Sequence, residues 1–462
     1  MGQRRTTEVV IVGGGAAGLV AALVASLEAK QRGLPLRVTV VERMAECGRK
    51  LRATGNGRGN LGARGLSPGH YVTTGSAELL ASIIARCDQE AVLELFQAIG
   101  LPLAQEDNRL YPLSLQAAQV REALVLACVA QGVDIQNETE LIAVHSRTSD
   151  YQLTLQREEA EQTLTADYVL LALGGSTQPA LGANGSWQDW LTRAGVQISE
   201  LRPALQALEV IKPYRSLRGQ RQVAEALLWQ RSRAHDYLPI AGDRGEVQFT
   251  ATGLSGVVIM QLSLFAQARP VQGGTVLRVR DDQSRVNPAT LKGSLTPLEL
   301  RTLYGKSATS AEYLITLDLF PDWSSEDLAR ELKRRTRETP WLQGEQLLIG
   351  LLPDKLAHVL MLMLEKLAPQ SSQKLDALIQ LMKQMPFPLA AEQNSPNAQV
   401  SLGGIQLSEL REHSYELKAF PRMYACGEML DIAGMCGGYN LAFAFASARA
   451  AAREIIASLD GV

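Results

Sequence analysis

The N-terminal stretch VVIVGGGAAGLVAALVASLEA, residues 9–29, constrains the fold more than any other part of this 462-residue chain. A short β-branched run leads into a G-x-G-x-x-G pattern, and a run of strong helix formers follows and ends at Gly33. The next segment, LRVTVVER, is again β-branched and closes on Glu42, about 24 residues after Gly18. Strand, glycine turn, helix and strand in this order predict a βαβ unit in a parallel, Rossmann-like sheet.

Each glycine of this pattern has its own physical role. Gly13 permits the tight turn, Gly15 lets a pyrophosphate approach the backbone, and Gly18 lets helix and strand pack closely. The start of the helix offers free N–H groups and a partial positive charge to the phosphates. Glu42 is placed to accept hydrogen bonds from both ribose hydroxyls. We therefore predict a dinucleotide site, although these residues alone leave open which dinucleotide it binds.

The composition excludes several classes of protein. The net charge is −2, so nothing draws the whole chain toward nucleic acid or an anionic membrane. No apolar run reaches the roughly 18–20 residues that a membrane-spanning helix requires. The five cysteines form no C-x-x-C pair and the five histidines are isolated. We therefore expect a cytoplasmic protein without a disulfide framework or a metal site.

Changes in periodicity suggest that the nucleotide-binding domain is split. A three-stranded insertion at about 133–173 is expected to return to the main sheet. Short β-type runs, including TVLRVR at 275–280, then give way to helical patterns and finally to a strand, a glycine-rich loop and an Ala-rich helix. The predicted segments are the nucleotide-binding domain at 1–198 and 395–462, an inserted β-rich domain at 199–320, and a helical subdomain with a return segment at 321–394.

Two further glycine-rich stretches carry chemistry. RKLRATGNGRGN, residues 49–60, combines glycines for close backbone approach, cations for phosphate or carboxylate, and asparagines that can donate to a ring carbonyl. CGEMLDIAGMCGGYN, residues 426–440, follows a predicted strand and opens a long helix. The N–H groups at that helix start would stabilise negative charge on a reduced flavin, and Asp431 would suit the ribityl and pyrophosphate region. A mobile basic loop and a plain glycine turn are the alternatives.

Four residues are candidates for contact with a substrate. Arg109 and Tyr111 lie in a β-like run before a helix, and Thr252 and Ser255 lie around a glycine turn. Helix capping and turn stabilisation are the alternative roles of the hydroxyl groups in these segments. No spacing of residues identifies a catalytic acid or base.

Taken together, these stretches resemble the HI0933-like flavoproteins, the YhiN/BaiN group of FAD-dependent oxidoreductases. The similarity is carried by VVIVGGGAAGL, GRKLRATGNGRGNL, NRLYPLSLQAAQV, LALGG, RPALQALEV, GEVQFTATGLSG, AQVSLGGIQ and YACGEMLDIAGMCGGYNLAFAFASA. The resemblance implies FAD bound across the first βαβ unit and the GGYN helix, with inserted β-barrel-like and helical domains. Motifs and resemblance together predict FAD contacts at Gly13, Gly15, Ala16, Ala17, Gly18, Glu42, Arg43, Lys50, Thr54, Gly55, Asn56, Gly57, Asn60, Gly174, Gly427, Glu428, Asp431, Gly437, Gly438, Tyr439 and Asn440.

The chain departs from the family pattern at positions expected to matter for substrate. Gly59 stands where the family usually has Cys, and Ala251 and Val257 replace the His and Pro of its F-T-H-x-G-x-S-G-P motif. Catalytic roles around that His therefore do not carry over. We expect an FAD oxidoreductase that exchanges a hydride with a small organic substrate and takes electrons from NAD(P)H. One alternative is a reductase of uridine in structured RNA such as rRNA, which the basic runs RKLRATGNGR and ELKRRTRE would permit. The other is a non-catalytic flavin-binding or sensor protein.

Overall fold

The structure is a computed structural model, and it describes residues 5–232, 236–267, 277–278, 296–370, 373–393 and 397–459. The chain divides into two compact units: the first consists of residues 1–203 and 398–462, and the second of residues 204–397. The second unit is thus inserted into the first. The boundary expected between residues 394 and 395 lies outside the described residues, and FAD binding by the split domain stays a prediction.

The N-terminal part of the first unit alternates strands and helices. Its strands are β1 (Thr7–Val12), β2 (Leu36–Val41), β3 (Gly62–Ala63), β4 (Tyr71–Val72), β5 (Leu103–Glu106), β6 (Arg109–Pro112), β7 (Asp134–Gln136), β8 (Thr139–Ser146), β9 (Tyr151–Arg157), β10 (Ala160–Ala166), β11 (Tyr168–Leu171) and β12 (Ile198–Ala204). Its helices are α1 (Ala16–Gln31), α2 (Arg49–Arg52), α3 (Ala77–Ala85), α4 (Gln89–Ala98), α5 (Ala117–Ala130) and α6 (Trp187–Arg193).

The rest of the chain supplies the second unit and then the return to the first. The second unit contains β13 (Leu208–Glu209), β14 (Arg221–Arg231), β15 (Tyr237–Phe249), β16 (Gly253–Ser255), β17 (Leu277–Arg278), β18 (Tyr313–Asp318), β19 (Met385–Pro388), α7 (Val257–Gln267), α8 (Pro297–Tyr304), α9 (Ser325–Glu338), α10 (Asp354–Leu367) and α11 (Lys374–Lys383). The return segment contains β20 (Val400–Ile405), β21 (Met423–Ala425), β22 (Ala433–Gly434) and α12 (Tyr439–Leu459).

A five-stranded parallel sheet forms the centre of the first unit, in the order β21-β11-β1-β2-β7. β1 pairs in register with β2, and Val12 faces Val41 at their carboxyl ends. Helix α1 is buried along most of its length because it packs against β2, α5 and α12. The C-terminal strand β21 joins the sheet beside β11, where Leu171 faces Ala425. The predicted Rossmann-like α/β architecture is thereby confirmed.

The insertion at 133–173 has the predicted form. β8, β9 and β10 make an antiparallel three-stranded sheet, whereas β7 and β11 on either side of it belong to the parallel sheet. A separate two-stranded sheet joins β12 to β20. The chain therefore stays with the first unit slightly beyond residue 198.

The described strands of the second unit follow the order β13-β16-β15-β14-β18-β19, with β17 beside β15. A bridge between Val210 and Leu389 joins the two ends of this order, so the sheet closes on itself like a barrel. The inserted segment expected to be β-rich also contains helices α7 and α8. β19, which pairs with β18, lies where the helical pattern ends and the return segment begins. Most of the strand predicted at TVLRVR lies outside the described residues.

Candidate functional site

The glycine turn after β1 has the geometry that its sequence predicts. Gly13 has φ of +105°, its N–H donates to the Val41 carbonyl (2.8 Å), and a Cβ there would overlap the Ala172 carbonyl oxygen. A Cβ at Gly18 would overlap the carbonyl oxygen of Gly13. A Cβ at Gly15 would instead have no atom within 4 Å. The turn and packing roles are thus confirmed, and Gly15 is the open position at the start of α1, which begins with Ala16 and Ala17.

Glu42 lies at the carboxyl end of β2 and binds the glycine turn directly. One carboxylate oxygen accepts the Gly14 N–H (2.8 Å) and the other accepts the Met44 N–H (2.7 Å). Burial raises the pKa of Glu42, against the lowering effect of these two N–H groups and of Arg43 and Arg49. Each carboxylate oxygen keeps a second acceptor site, which suits the predicted contact with ribose hydroxyls.

Neighbouring side chains fix the surroundings of Glu42. The Cys47 thiol fills the space beside Gly14, and burial, followed by the charge of Glu42, raises its pKa to about 12. Arg43 donates to the Gly182 carbonyl at 3.1 Å, so this predicted contact residue already binds the backbone of its own unit. Cys47 is therefore a buried thiol whose raised pKa favours the protonated form.

The basic glycine loop is more ordered than a plain loop. It contains the short helix α2 followed by a tight turn at Thr54–Gly57, and the Thr54 hydroxyl donates to the Leu51 carbonyl (2.7 Å). Gly55 and Asn56 are consecutive left-handed residues, with φ of 57° and 54°. Gly59 has φ of +75°, and a Cβ there would lie 2.9 Å from Cα of Ala117. A side chain at position 59 would thus require both backbone strain and movement of α5.

Lys50 joins this loop to the C-terminal segment. Its ammonium donates to both carboxylate oxygens of Glu428, at 2.7 and 3.0 Å, and lies 3.4 Å from the Thr177 hydroxyl. Glu428 also accepts the Ser401 N–H (2.9 Å). Two predicted contact residues therefore bind each other. The sequence pattern does not predict Thr177 and Ser401 as partners of this ion pair, because their contacts depend on neighbours that lie far away in the sequence.

The first glycine turn and the basic loop also meet the C-terminal segment by close packing. A Cβ at Gly427 (φ +70°) would lie 3.2 Å from Cβ of Ala17, at the start of α1. A Cβ at Gly438 (φ +102°) would overlap Oδ1 of Asn60. The structure therefore brings together residues 17 and 427 at the carboxyl edge of the parallel sheet, and it also brings together residues 60 and 438. That edge is where open α/β sheets bind their ligands.

Helix α12 starts at Tyr439, as predicted, and side chains of its first turn fix the preceding loop. The Asn440 amide accepts the Gly434 N–H (2.8 Å) and donates to the Gly434 carbonyl (2.7 Å), while Gly437 in that loop has φ of +126°. The Tyr439 ring stacks on His70, with centroids 4.3 Å apart and planes 18° from parallel. Neither the sequence pattern nor the spacing predicted His70 at this position.

Asp431 does not face outward as a ligand contact would. It is fully buried, and its carboxylate accepts hydrogen bonds from the Thr74 N–H, the Thr74 hydroxyl (2.5 Å) and the Ser199 hydroxyl (3.2 Å). The structure gives this side chain a role in holding three segments together, and no exposed atom of it supports the predicted FAD contact. Gly174 (φ +71°) accepts the Trp187 indole N–H at its carbonyl (2.8 Å), next to the same sheet edge.

The four substrate candidates are divided equally between the two units. In the first unit, Arg109 and Tyr111 lie in β6, but the Tyr111 ring is buried under the Arg58 guanidinium at 4.7 Å. In the second unit, the Thr250 hydroxyl accepts the Thr252 N–H (3.3 Å) and the Gly253 N–H (2.9 Å), which is turn stabilisation. Ser255 lies in β16 and pairs with Gln248. Their contact with a substrate stays a prediction.

Across the described ranges, no group of three or more His, Cys, Asp or Glu side chains could hold a metal ion. Within the same ranges, no helix is long and apolar enough to cross a bilayer.

Comparison with known proteins identifies relatives along nearly the whole chain. A 3-dehydro-bile acid delta(4,6)-reductase from Clostridium scindens is 28% identical over 96% of this chain and 97% of its own length. A ribosomal RNA dihydrouridine synthase from Escherichia coli is 24% identical over 98% of both chains. Among solved structures, the Mycobacterium smegmatis Sdh1 complex in the apo form is 13% identical over 99% of this chain and 69% of that chain, with a TM-score of 0.41.

The sequence model of one protein family, the HI0933-like protein Rossmann domain, matches residues 7–454 of this chain. This range includes the glycine turn after β1, the inserted second unit and the return through β21 to most of α12. By this match, the chain is a member of the HI0933-like protein family.

Proposed function

We propose that this protein is an FAD-dependent oxidoreductase that exchanges a hydride between bound FAD and a small organic substrate, with NAD(P)H as electron donor. The observation that carries the proposal is the meeting of two distant segments at one sheet edge, seen in the packing of Gly427 against Ala17. A single Rossmann turn would suit any dinucleotide. The added C-terminal segment, with its own glycines and helix start, suits a cofactor that extends from a nucleotide to a ring.

The residues present fit FAD. Gly15 leaves the start of α1 open, so the helix N–H groups can receive a pyrophosphate. Glu42, already fixed by the Gly14 N–H, orients its remaining acceptor sites for the ribose of the adenosine. The N–H groups at the start of α12 would hold negative charge near the ring. FAD, when bound, supplies the ring that carries the hydride.

The names of the relatives support a reductive activity. The Clostridium scindens protein is named as a reductase of a 3-dehydro-bile acid, and we propose a small organic substrate for this chain on that basis. No side chain is assigned as catalytic acid or base, because the family His is replaced by Ala251. The substrate group therefore has to be reduced without that imidazole.

The alternative of an RNA substrate comes from the name of the Escherichia coli relative. This alternative requires the two basic runs, RKLRATGNGR and ELKRRTRE. Most of the cations in these runs are paired with acidic side chains of the same chain. Paired cations release few counterions on meeting phosphate, which weakens nonspecific RNA binding. The ion pairs are Lys50–Glu428, Arg52–Glu46, Arg58–Glu106, Arg334–Glu331, Arg335–Glu331 and Arg337–Glu338.

Anaerobic reduction of the purified protein tests the proposal. We expect FAD to be present and its absorbance to bleach on mixing with NADH or NADPH. Glu42→Ala should lose FAD on dilution, whereas Glu46→Ala, which removes an exposed acid four residues further along, should keep it. A protein that takes up no FAD would refute the cofactor, and FAD that neither nucleotide bleaches would refute the donor.

A further inference from the structure

The ion pair between Lys50 and Glu428 joins parts of the first unit that are 378 residues apart in sequence. Both oxygens of the carboxylate accept from the ammonium, and the side chains are only 26% and 20% exposed. The Ser401 N–H orients Glu428, and Gly175 lies so close to both that it has no room for a Cβ. The pair is therefore held in place from several sides.

The Lys50–Glu428 pair lies at the sheet edge where the cofactor is predicted to bind. Lys50 follows β2, Thr177 follows β11 and Glu428 follows β21, so all three lie at the carboxyl edge of the parallel sheet. Gly427, next to Glu428, packs on Ala17 at the start of α1. Two opposite charges thus cancel within the predicted cofactor site, where water screens them less than at an exposed surface.

We propose that Lys50 and Glu428 are a matched charge pair that adds no net charge to this edge of the sheet, and that this balance sets the midpoint potential of the flavin. Since Glu428 neutralises Lys50, the pyrophosphate is left to the N–H groups of α1 rather than to a free cation. This inference rests on the proposed function, because it takes FAD as the cofactor.

Removing one partner at a time tests the pair through the sign of the change. Lys50→Met leaves the Glu428 carboxylate unmatched, which opposes the negative charge gained on reduction, so we expect a lower midpoint potential. Glu428→Gln leaves the ammonium unmatched and should raise it. The double variant should return close to the wild-type potential. The measurement is a dye-equilibrated reductive titration of the FAD-loaded protein.

Arg52, two residues further along α2, provides the matched control. Arg52 forms an ion pair with Glu46, and both side chains are about half exposed. Arg52→Met therefore removes one positive charge that solvent already screens, and it should shift the midpoint potential little. If Lys50→Met does not fold, the test rests on Glu428→Gln, which should raise the potential by more than Arg52→Met changes it.

Two results would overturn the charge pair: shifts of the same sign for Lys50→Met and Glu428→Gln, or shifts no larger than that of Arg52→Met. A wild-type protein that binds no FAD would instead refute the proposed function. The two failures are therefore distinguishable, because the first requires a flavin whose potential has been measured.

Discussion

Gly15 and Gly18 lie three residues apart around the start of α1, yet replacement by alanine should affect the protein in opposite ways. At Gly18 a Cβ would overlap the Gly13 carbonyl oxygen and lie 3.4 Å from Cγ2 of Ile11. The first of these atoms is backbone and cannot rotate away. At Gly15, which has an ordinary φ of −76°, a Cβ would meet no atom within 4 Å.

The magnitudes follow from these surroundings. Forcing a methyl group into a packed site costs about 1–3 kcal/mol or more. Alanine within a helix recovers roughly 0.5–1 kcal/mol relative to glycine, so Gly18→Ala should still lose stability overall. Gly15 is the N-cap of α1 and has no side-chain hydrogen bond to lose, so Gly15→Ala should cost no more than about 1 kcal/mol, which reflects the lower N-cap preference of alanine.

Ligand affinity should show the reverse pattern. The added methyl group of Gly15→Ala occupies the open side of the turn, where a pyrophosphate would approach, so FAD affinity should fall by at least tenfold. The assays are thermal unfolding of the apoprotein and fluorescence titration with FAD. Tight FAD binding by Gly15→Ala would refute the phosphate role of the turn. An unchanged melting temperature for Gly18→Ala would refute the packing argument.

Other predictions concern buried polar groups. The raised pKa of Glu42 means that this carboxyl takes up a proton at a higher pH than usual. FAD affinity should therefore weaken as the pH falls through that raised pKa. Glu42→Gln should bind FAD more weakly and should lack this pH dependence. The side-chain nitrogen and oxygen of Gln206 are both buried without a hydrogen-bond partner in the described part of the chain. Gln206→Met should raise the free energy of unfolding by about 1–3 kcal/mol, and an unchanged denaturation curve would contradict this. Burial raises the pKa of the Cys47 and Cys128 thiols to about 12, so native protein at pH 8 should resist alkylation at both, as checked by mass spectrometry.

Local patterns were sufficient to predict the βαβ unit and the start of α12, because their glycines and β-branched runs act over a few residues. The closure of the second sheet was beyond such patterns. β19 is only four residues long and contains two prolines, and its place depends on pairing with β18 and on the bridge from Val210 to Leu389. Prolines in a short run argue against a strand unless distant partners supply the pairing.

The same distinction explains the candidate site. Glycines at 13, 18 and 438 could be identified because the close approach they permit excludes every other residue type. Polar side chains carry no such signature. The stacking of His70 on Tyr439 joins residues that no local spacing relates. A motif therefore predicts which backbone positions must be small, but not which of its polar side chains face the ligand.

Asp431 provides the sharpest test of this argument. Asp431→Asn places an NH₂ group among the Thr74 and Ser199 donors, so a structural role predicts a lower melting temperature and unchanged FAD affinity in the protein that remains folded. Thr74→Val removes one donor without altering any predicted FAD contact and should reproduce that effect. A ligand role predicts that Asp431→Asn weakens FAD binding at an unchanged melting temperature, with Thr74→Val still binding normally. Because the two roles move different observables, the burial of Asp431 and its motif assignment can be tested directly against each other.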